Sequence, residues 1–134
     1  MIIDSSALLA VLQREAEADQ FSELMLVASR CAMSAATFVE CTNVVDRNND
    51  PRLPRRLDEA LREIELQIEP FTEVQARIAR DAYRDYGKGS GHPARLNLGD
   101  CFSYALAYAT GEELLFKGDD FIHTDLTPAY RPKS

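Results

Sequence analysis

Five carboxylates stand at the edges of apolar segments that lie far apart in the chain. Asp4 follows Met1-Ile2-Ile3, Glu40 lies inside a helical stretch, Asp100 opens another, and Asp119 and Asp120 follow Leu114-Leu115-Phe116-Lys117-Gly118. Each has a structural explanation of its own. Asp4 suits the N-cap of a helix beginning near Ala7. Thr37-Phe38-Val39-Glu40 matches a capping box, although the apolar rhythm already begins at Ala35 and places Glu40 in the helix interior. Asp100 sits in the first turn after the cap Asn97, where a carboxylate favours the helix dipole. Asp119-Asp120 fits a polar turn after Gly118. Taken together they suggest something else. Carboxylates gathered into one pocket repel one another and shift toward protonation unless a divalent cation compensates them. An all-oxygen set with no matching His or Cys ligands suits Mg²⁺ or Mn²⁺ and not zinc. His92 and His123 lie in polar stretches and read as ordinary surface residues.

The elements that must position these acids alternate between strand and helix. Met1–Ile3 reads as a short buried strand, and Asp4-Ser5-Ser6 supplies cap chemistry for a helix over 7–13. A second helix runs from about Ala16 to Ala28, with Ala18, Phe21, Leu24, Met25 and Ala28 on one face. Cys31–Met33 is a strand. The helix begun by Ser34 has Ala35, Phe38, Val39, Thr42 and Val45 as its inward face. After a loop over 46–51 comes a helix carrying Leu53, Leu57, Leu61 and Ile64, and then a strand over 66–70. Thr72 with Gln75 matches a capping box for a helix reaching Tyr86. The glycine-rich run 87–93 is loop. Leu98–Thr110 is helical with Gly111 as its cap, and Glu113–Phe116 is the last strand. Such alternation predicts an α/β domain with a parallel sheet covered on both faces and functional groups at the carboxyl ends of its strands. Asp4 and Asp119-Asp120 fall at such ends.

Composition sets the outer limits. A chain of 134 residues, 46% hydrophobic and 28% charged, suits one domain with a real core and excludes disordered or fibrous classes. The three cysteines, Cys31, Cys41 and Cys101, show no paired spacing and read as small buried thiols, neither a disulfide scaffold nor a zinc site. The longest early apolar run, Ala7–Leu12, is too short to span a bilayer, no signal-peptide pattern opens the chain, and the cytoplasm is the expected location. A net charge of −7 repels nucleic acid on average, so an RNA or DNA partner requires local basic patches or bound cations.

Met1-Ile-Ile-Asp4-Ser5-Ser6-Ala-Leu, the helical Glu40, Asn97-Leu-Gly-Asp100-Cys-Phe-Ser-Tyr-Ala-Leu-Ala and Leu114-Leu-Phe-Lys-Gly-Asp-Asp120-Phe121-Ile-His-Thr124-Asp125 together resemble the PIN-domain ribonucleases, specifically the VapC toxins of type II toxin–antitoxin pairs. The likeness runs from Met1 to about Thr127. It implies a three-layer α/β/α PIN-like fold over 1–134, with a central, mainly parallel sheet of about four to five short strands. Residue by residue, it implies that Asp4 and Asp100 are the principal Mg²⁺ ligands, with Mn²⁺ as an alternative ion, and that Glu40 is the third acid. The acid before the Phe is the usual fourth, which points to Asp120, with Asp119 as the alternative. Ser6 matches a small hydroxyl residue beside the metal, and helix capping explains it equally well.

The implied activity is metal-dependent endoribonuclease cleavage of RNA phosphodiester bonds, inhibited by a cognate VapB-type antitoxin in a system where VapC-like proteins form homodimers. A basic antitoxin side chain entering the acid pocket fits that inhibition. For substrate binding, Arg95 and Lys117 are the cations nearest the acids in sequence. Arg77, Arg80, Arg84 and Lys88 form a helical stripe that also reads as a solvated mixed-charge face, and Arg52, Arg55 and Arg56 form a second cluster. Tyr104 and Tyr108 share a helix face and suit either base stacking or core packing. Two other classes share parts of this pattern. A receiver-type signalling domain requires a phospho-accepting Asp after a central strand, where this chain has Glu69-Pro70-Phe71. A catalytically silent PIN-like binding module requires no intact acids.

Overall fold

Ile2 and Ile3 are both fully buried, on opposite faces of the same strand. That is the period-two geometry of a sheet covered on both sides. The computed structural model describes residues 1–132. Its elements run β1 (Ile2–Ile3), α1 (Ser5–Leu12), α2 (Ala18–Val27), β2 (Ala32–Ser34), α3 (Ala35–Asp46), α4 (Leu53–Glu63), β3 (Gln67–Glu69), α5 (Glu73–Tyr86), α6 (Leu98–Thr110) and β4 (Leu114–Leu115), followed by a 3₁₀ turn over Asp120–His123. The four strands are all parallel in the order β3-β2-β1-β4, with Ile2 paired to both Ala32 and Leu114. Ile2, Ala32 and Leu114 pack under α5 and α6, whereas Ile3, Met33 and Leu115 pack under α1 to α4. The layers are therefore α/β/α, as expected.

Arg30, ahead of β2, bonds Glu112, ahead of β4, at 3.2 Å and reaches along the sheet edge to Glu69, the last residue of β3, at 2.8 Å, and the terminal ammonium bonds Glu112 at 2.9 Å. The carboxyl ends of β1 and β4 are left to the acids. No helix of the described residues is long and apolar enough to cross a membrane.

Local chemistry explains most boundaries, and two expectations need correction. Helix α6 begins at its Asn97 cap and ends at Gly111 in the left-handed region (φ 72°), as its sequence predicts. In α3 the buried residues are Thr37, Cys41 and Val45, while Val39 is 64% exposed. The helix is rolled away from the face that apolar residues alone suggest, because the small polar Thr37 is wanted inside. In α5 only half of the capping box forms. Thr72 accepts from the Gln75 amide, but the Gln75 side chain turns away and donates to the Pro70 carbonyl at 3.3 Å.

Candidate functional site

Asp4 leaves the carboxyl end of β1 and is buried, with only 3% of its surface exposed. Its Oδ2 accepts from the Ser6 amide at 3.0 Å, which caps α1, and from the Ser6 hydroxyl at 2.6 Å. Its Oδ1 accepts from the Ser103 hydroxyl of α6 at 2.5 Å. Each serine has one hydroxyl proton, and both are committed to Asp4. Thr37 of α3, 3.3 Å from Ser103 Oγ, must therefore donate to Ser103, and Ser6 Oγ is free to accept from the Lys117 amide at 3.0 Å. This relay ties together β1, α3, α6 and the end of β4 around one carboxylate. Capping is thus true of Asp4, and it does not exclude a place in the site.

Asp100 is the third residue of α6. Its carboxylate accepts from the Asn97 amide at 3.0 Å while Asn97 Oδ1 accepts from the Asp100 amide at 2.8 Å, a reciprocal capping box. Despite that donor, burial pushes the Asp100 carboxyl up to about 6, helped by the charges of Asp4, Asp120 and Glu40. Glu40 projects from mid-α3, well past the Ser34 cap, so the capping-box reading of Thr37–Glu40 does not hold. Its carboxyl is raised by burial and by Asp4. It lies against the bare Cα of Gly99, where an added Cβ would stand 2.6 Å from one carboxylate oxygen and 2.7 Å from the other. Buried Cys41, one residue on, is pushed up to about 12 by burial and by Asp4 and Glu40. Asp120 acts on Asp100 from the 3₁₀ turn, whereas Asp119 lines a separate cavity with Phe21 and Tyr130.

The fold therefore places Asp4, Glu40 and Asp120 within electrostatic reach of Asp100, while Asp119 lines the other cavity. Among the described residues no three His, Cys, Asp or Glu side chains close on a common point. The donor chemistry nevertheless fits a hard divalent cation. All candidates are oxygens, and the ionised form of Asp100, disfavoured first by burial and then by its acidic neighbours, is one that such an ion would favour.

The basic residues divide differently. Arg77 pairs with Glu73 at 3.3 Å, and Arg84 with Asp81 at 3.3 Å and Asp85 at 3.0 Å, so much of the stripe is a mixed-charge solvated face. Arg52 pairs with Asp50 at 3.1 Å. Lys117 is held by Glu15 and by Glu17, the latter at 3.4 Å. Arg95 is exposed in a left-handed backbone conformation (φ 51°), two residues before the Asn97 cap and so on the lip of the α6 N-terminus. Tyr104 is buried and its hydroxyl donates to Asp125 at 2.6 Å; Tyr108 stacks on it with ring centroids 5.8 Å apart. Asp81, Asp85 and Asp125 line the same depression, which makes it a poor platform for a polyanion.

Sequence reasoning missed Ser103 and Thr37. A helical offset of three was available as the signal, since Ser103 follows Asp100 and Thr37 precedes Glu40 by that spacing.

Comparison with known proteins identifies the family. The PIN domain family model matches residues 1–126. Ribonuclease VapC28 of Mycobacterium tuberculosis is 50% identical over 96% of this chain and 97% of its own. Ribonuclease VapC42 of the same organism is 49% identical over 96% and 98%. A chain of a toxin–antitoxin complex from Klebsiella pneumoniae superposes with a TM-score of 0.66 at 21% identity, covering 90% of this chain and 88% of that one, a likeness of fold. With a matching family model and near-full-length relatives at this identity, the chain belongs to the PIN-domain family, in its VapC group.

Proposed function

We propose that this chain is a Mg²⁺-dependent endoribonuclease toxin whose activity resides in Asp4, Glu40, Asp100 and Asp120. The observation that carries the reading is that α6 meets two of the acids near its own Asp100: Ser103, one turn along, bonds buried Asp4 at 2.5 Å, and Gly99 lies against Glu40. Asp4 and Asp100 are the principal ligands, the first fixed by three donors and the second by the Asn97 amide, with Glu40 and Asp120 flanking them. Mg²⁺, or Mn²⁺ in its place, supplies Lewis-acid activation of the phosphodiester and of water when bound. Glu40, whose carboxyl is raised and which is not tied into a cap, is the group suited to take the proton from the attacking water. Arg95, exposed two residues before the Asn97 cap, and Lys117, once released from Glu15 and Glu17, are the cations suited to contact the RNA phosphates, and Ser6 keeps Asp4 oriented.

This reading brings a VapB-type antitoxin and a second copy of the chain as partners. Val39 and Leu98, 64% and 58% exposed beside Glu40 and Asp100, give such a partner apolar surface at the rim of the acids. A basic antitoxin side chain relieves the same repulsion that the metal does.

The test incubates purified, antitoxin-free protein with structured cellular RNAs in Mg²⁺, in Mn²⁺, in chelator, and as Asp100→Asn. Discrete cleavage that disappears in the last two is the expected result. Equal cleavage by the variant would overturn the site.

A further inference from the structure

Across the segment 117–120 from the acids lies a second cavity of about 340 Å³, bounded by Phe21, Phe116, Ile122 and Tyr130, with Glu17, Lys117 and Asp119 at its polar side. Its apolar walls are aromatic, and Phe21 and Tyr130 meet edge to face with centroids 5.2 Å apart. Glu17 occupies the N-cap position of α2, yet its side chain makes no cap bond. Its Oε2 is buried beneath the Lys117 ammonium, 3.4 Å away in a long ion pair that the lysine shares with Glu15, and has no other donor. A carboxylate that caps no helix and holds only a shared lysine, at the edge of an aromatic slot, can receive donors from a flat heterocycle once the lysine swings aside.

The position of the slot narrows the choice. Lys117 bonds Ser6 through its backbone, and three residue steps later Asp120 stands within electrostatic reach of Asp100. Those steps span at most about 11 Å, so a base in the cavity and a phosphate at the acids can belong to neighbouring nucleotides. Of the four RNA bases, guanine alone presents two adjacent N–H donors, N1–H and the 2-amino group, to match the two oxygens of a carboxylate. Adenine and cytosine set a ring acceptor beside their amino group, and uracil flanks its single N–H with carbonyls.

We propose that this cavity is a base-reading subsite that takes a guanine next to the cleaved phosphate, with Glu17 as the residue that reads it. The inference rests on the ribonuclease reading above. Guanine displaces the Lys117 ammonium from Glu17, and the released cation turns to the strand phosphate.

The test titrates GMP, IMP, AMP, CMP and UMP into the metal-free full chain and into Glu17→Gln, following backbone amide shifts by NMR. GMP should bind tightest and move residues 116–122 and Tyr130. IMP, lacking the 2-amino donor, should bind about tenfold more weakly, the worth of one charge-assisted hydrogen bond, and the variant should lose the preference. Equal binding of all five, binding of none, or a preference retained by Glu17→Gln overturns the inference. A parallel arm compares cleavage of one RNA with guanine or inosine beside the cut. Equal cleavage of the two overturns the subsite and leaves the ribonuclease reading intact. Failure to cut any RNA, with GMP selectivity preserved, overturns the ribonuclease reading instead.

Discussion

Replacing Asp100 with Asn should make the metal-free protein more stable at neutral pH. The half-buried carboxyl rises from its ordinary 3.8 to about 6, which at about 1.4 kcal/mol per pH unit is about 3 kcal/mol set against the ionised form. A native state whose acid has a raised pKa binds more protons than the unfolded chain between those two values. Stability from this group is therefore greatest below pH 4 and falls as pH rises through 6. Asn cannot ionise, and its amide oxygen can still accept from the Asn97 backbone, so the capping box survives. In chelator, Asp100→Asn and the native chain should be nearly equal at pH 4. By pH 8 they should diverge, the variant being more stable by up to about 3 kcal/mol. Urea denaturation followed by circular dichroism reads this directly, the chain having no tryptophan. Mg²⁺ should then largely close the gap at pH 8, because only the native chain gains by mass action, about 2.7 kcal/mol at a hundredfold excess over Kd. Parallel stability curves from pH 4 to 8 without metal would refute the raised Asp100 carboxyl.

Other perturbations probe other parts of the site. Gly99→Ala places a methyl group 2.6 Å from a Glu40 oxygen. The flexible carboxylate should yield, so thermal stability should hold or rise by up to about 1 kcal/mol while RNA cleavage falls sharply; unchanged cleavage would show that Glu40 does not need its present place. Ser103→Ala removes a donor from buried Asp4 and leaves Thr37 without its acceptor. It should cost about 1–3 kcal/mol and weaken Mg²⁺ binding, measured by metal-dependent thermal shift, by about tenfold or more. Tyr104→Phe deletes the bond to Asp125 and should cost about 1–3 kcal/mol in urea titrations, with cleavage specificity unaltered.

The sequence makes α6 readable because its ends carry chemistry of their own: Asn97 and Asp100 can cap only an N-terminus, and Gly111 readily adopts a left-handed backbone. The short strands were placed but drawn too long. β1 and β4 are two residues each, and apolar neighbours such as Phe116 are buried without being paired. The face of α3 was misjudged for a physical reason. Hydrophobic periodicity assumes an apolar interior, but this interior holds a hydroxyl relay, so Thr37 goes in and Val39 goes out. The acids were visible as types, whereas the 3₁₀ turn that separates the surroundings of Asp119 from those of Asp120 carries no local pattern that announces it.

Asp4 and Glu40 differ in what their loss would do to inheritance. Asp4 caps α1 and terminates a relay through four elements, so almost any replacement damages folding as well as chemistry. Glu40 stands on a helix interior, exposed and tied to no cap, and a change there spares the scaffold. A lineage drifting from toxin to harmless binder would therefore pass more readily through Glu40, leaving Asp4 in place as a vestige with a structural job. A surviving first acid is consequently poor testimony that a relative still cuts, and the helix-borne glutamate is the better witness.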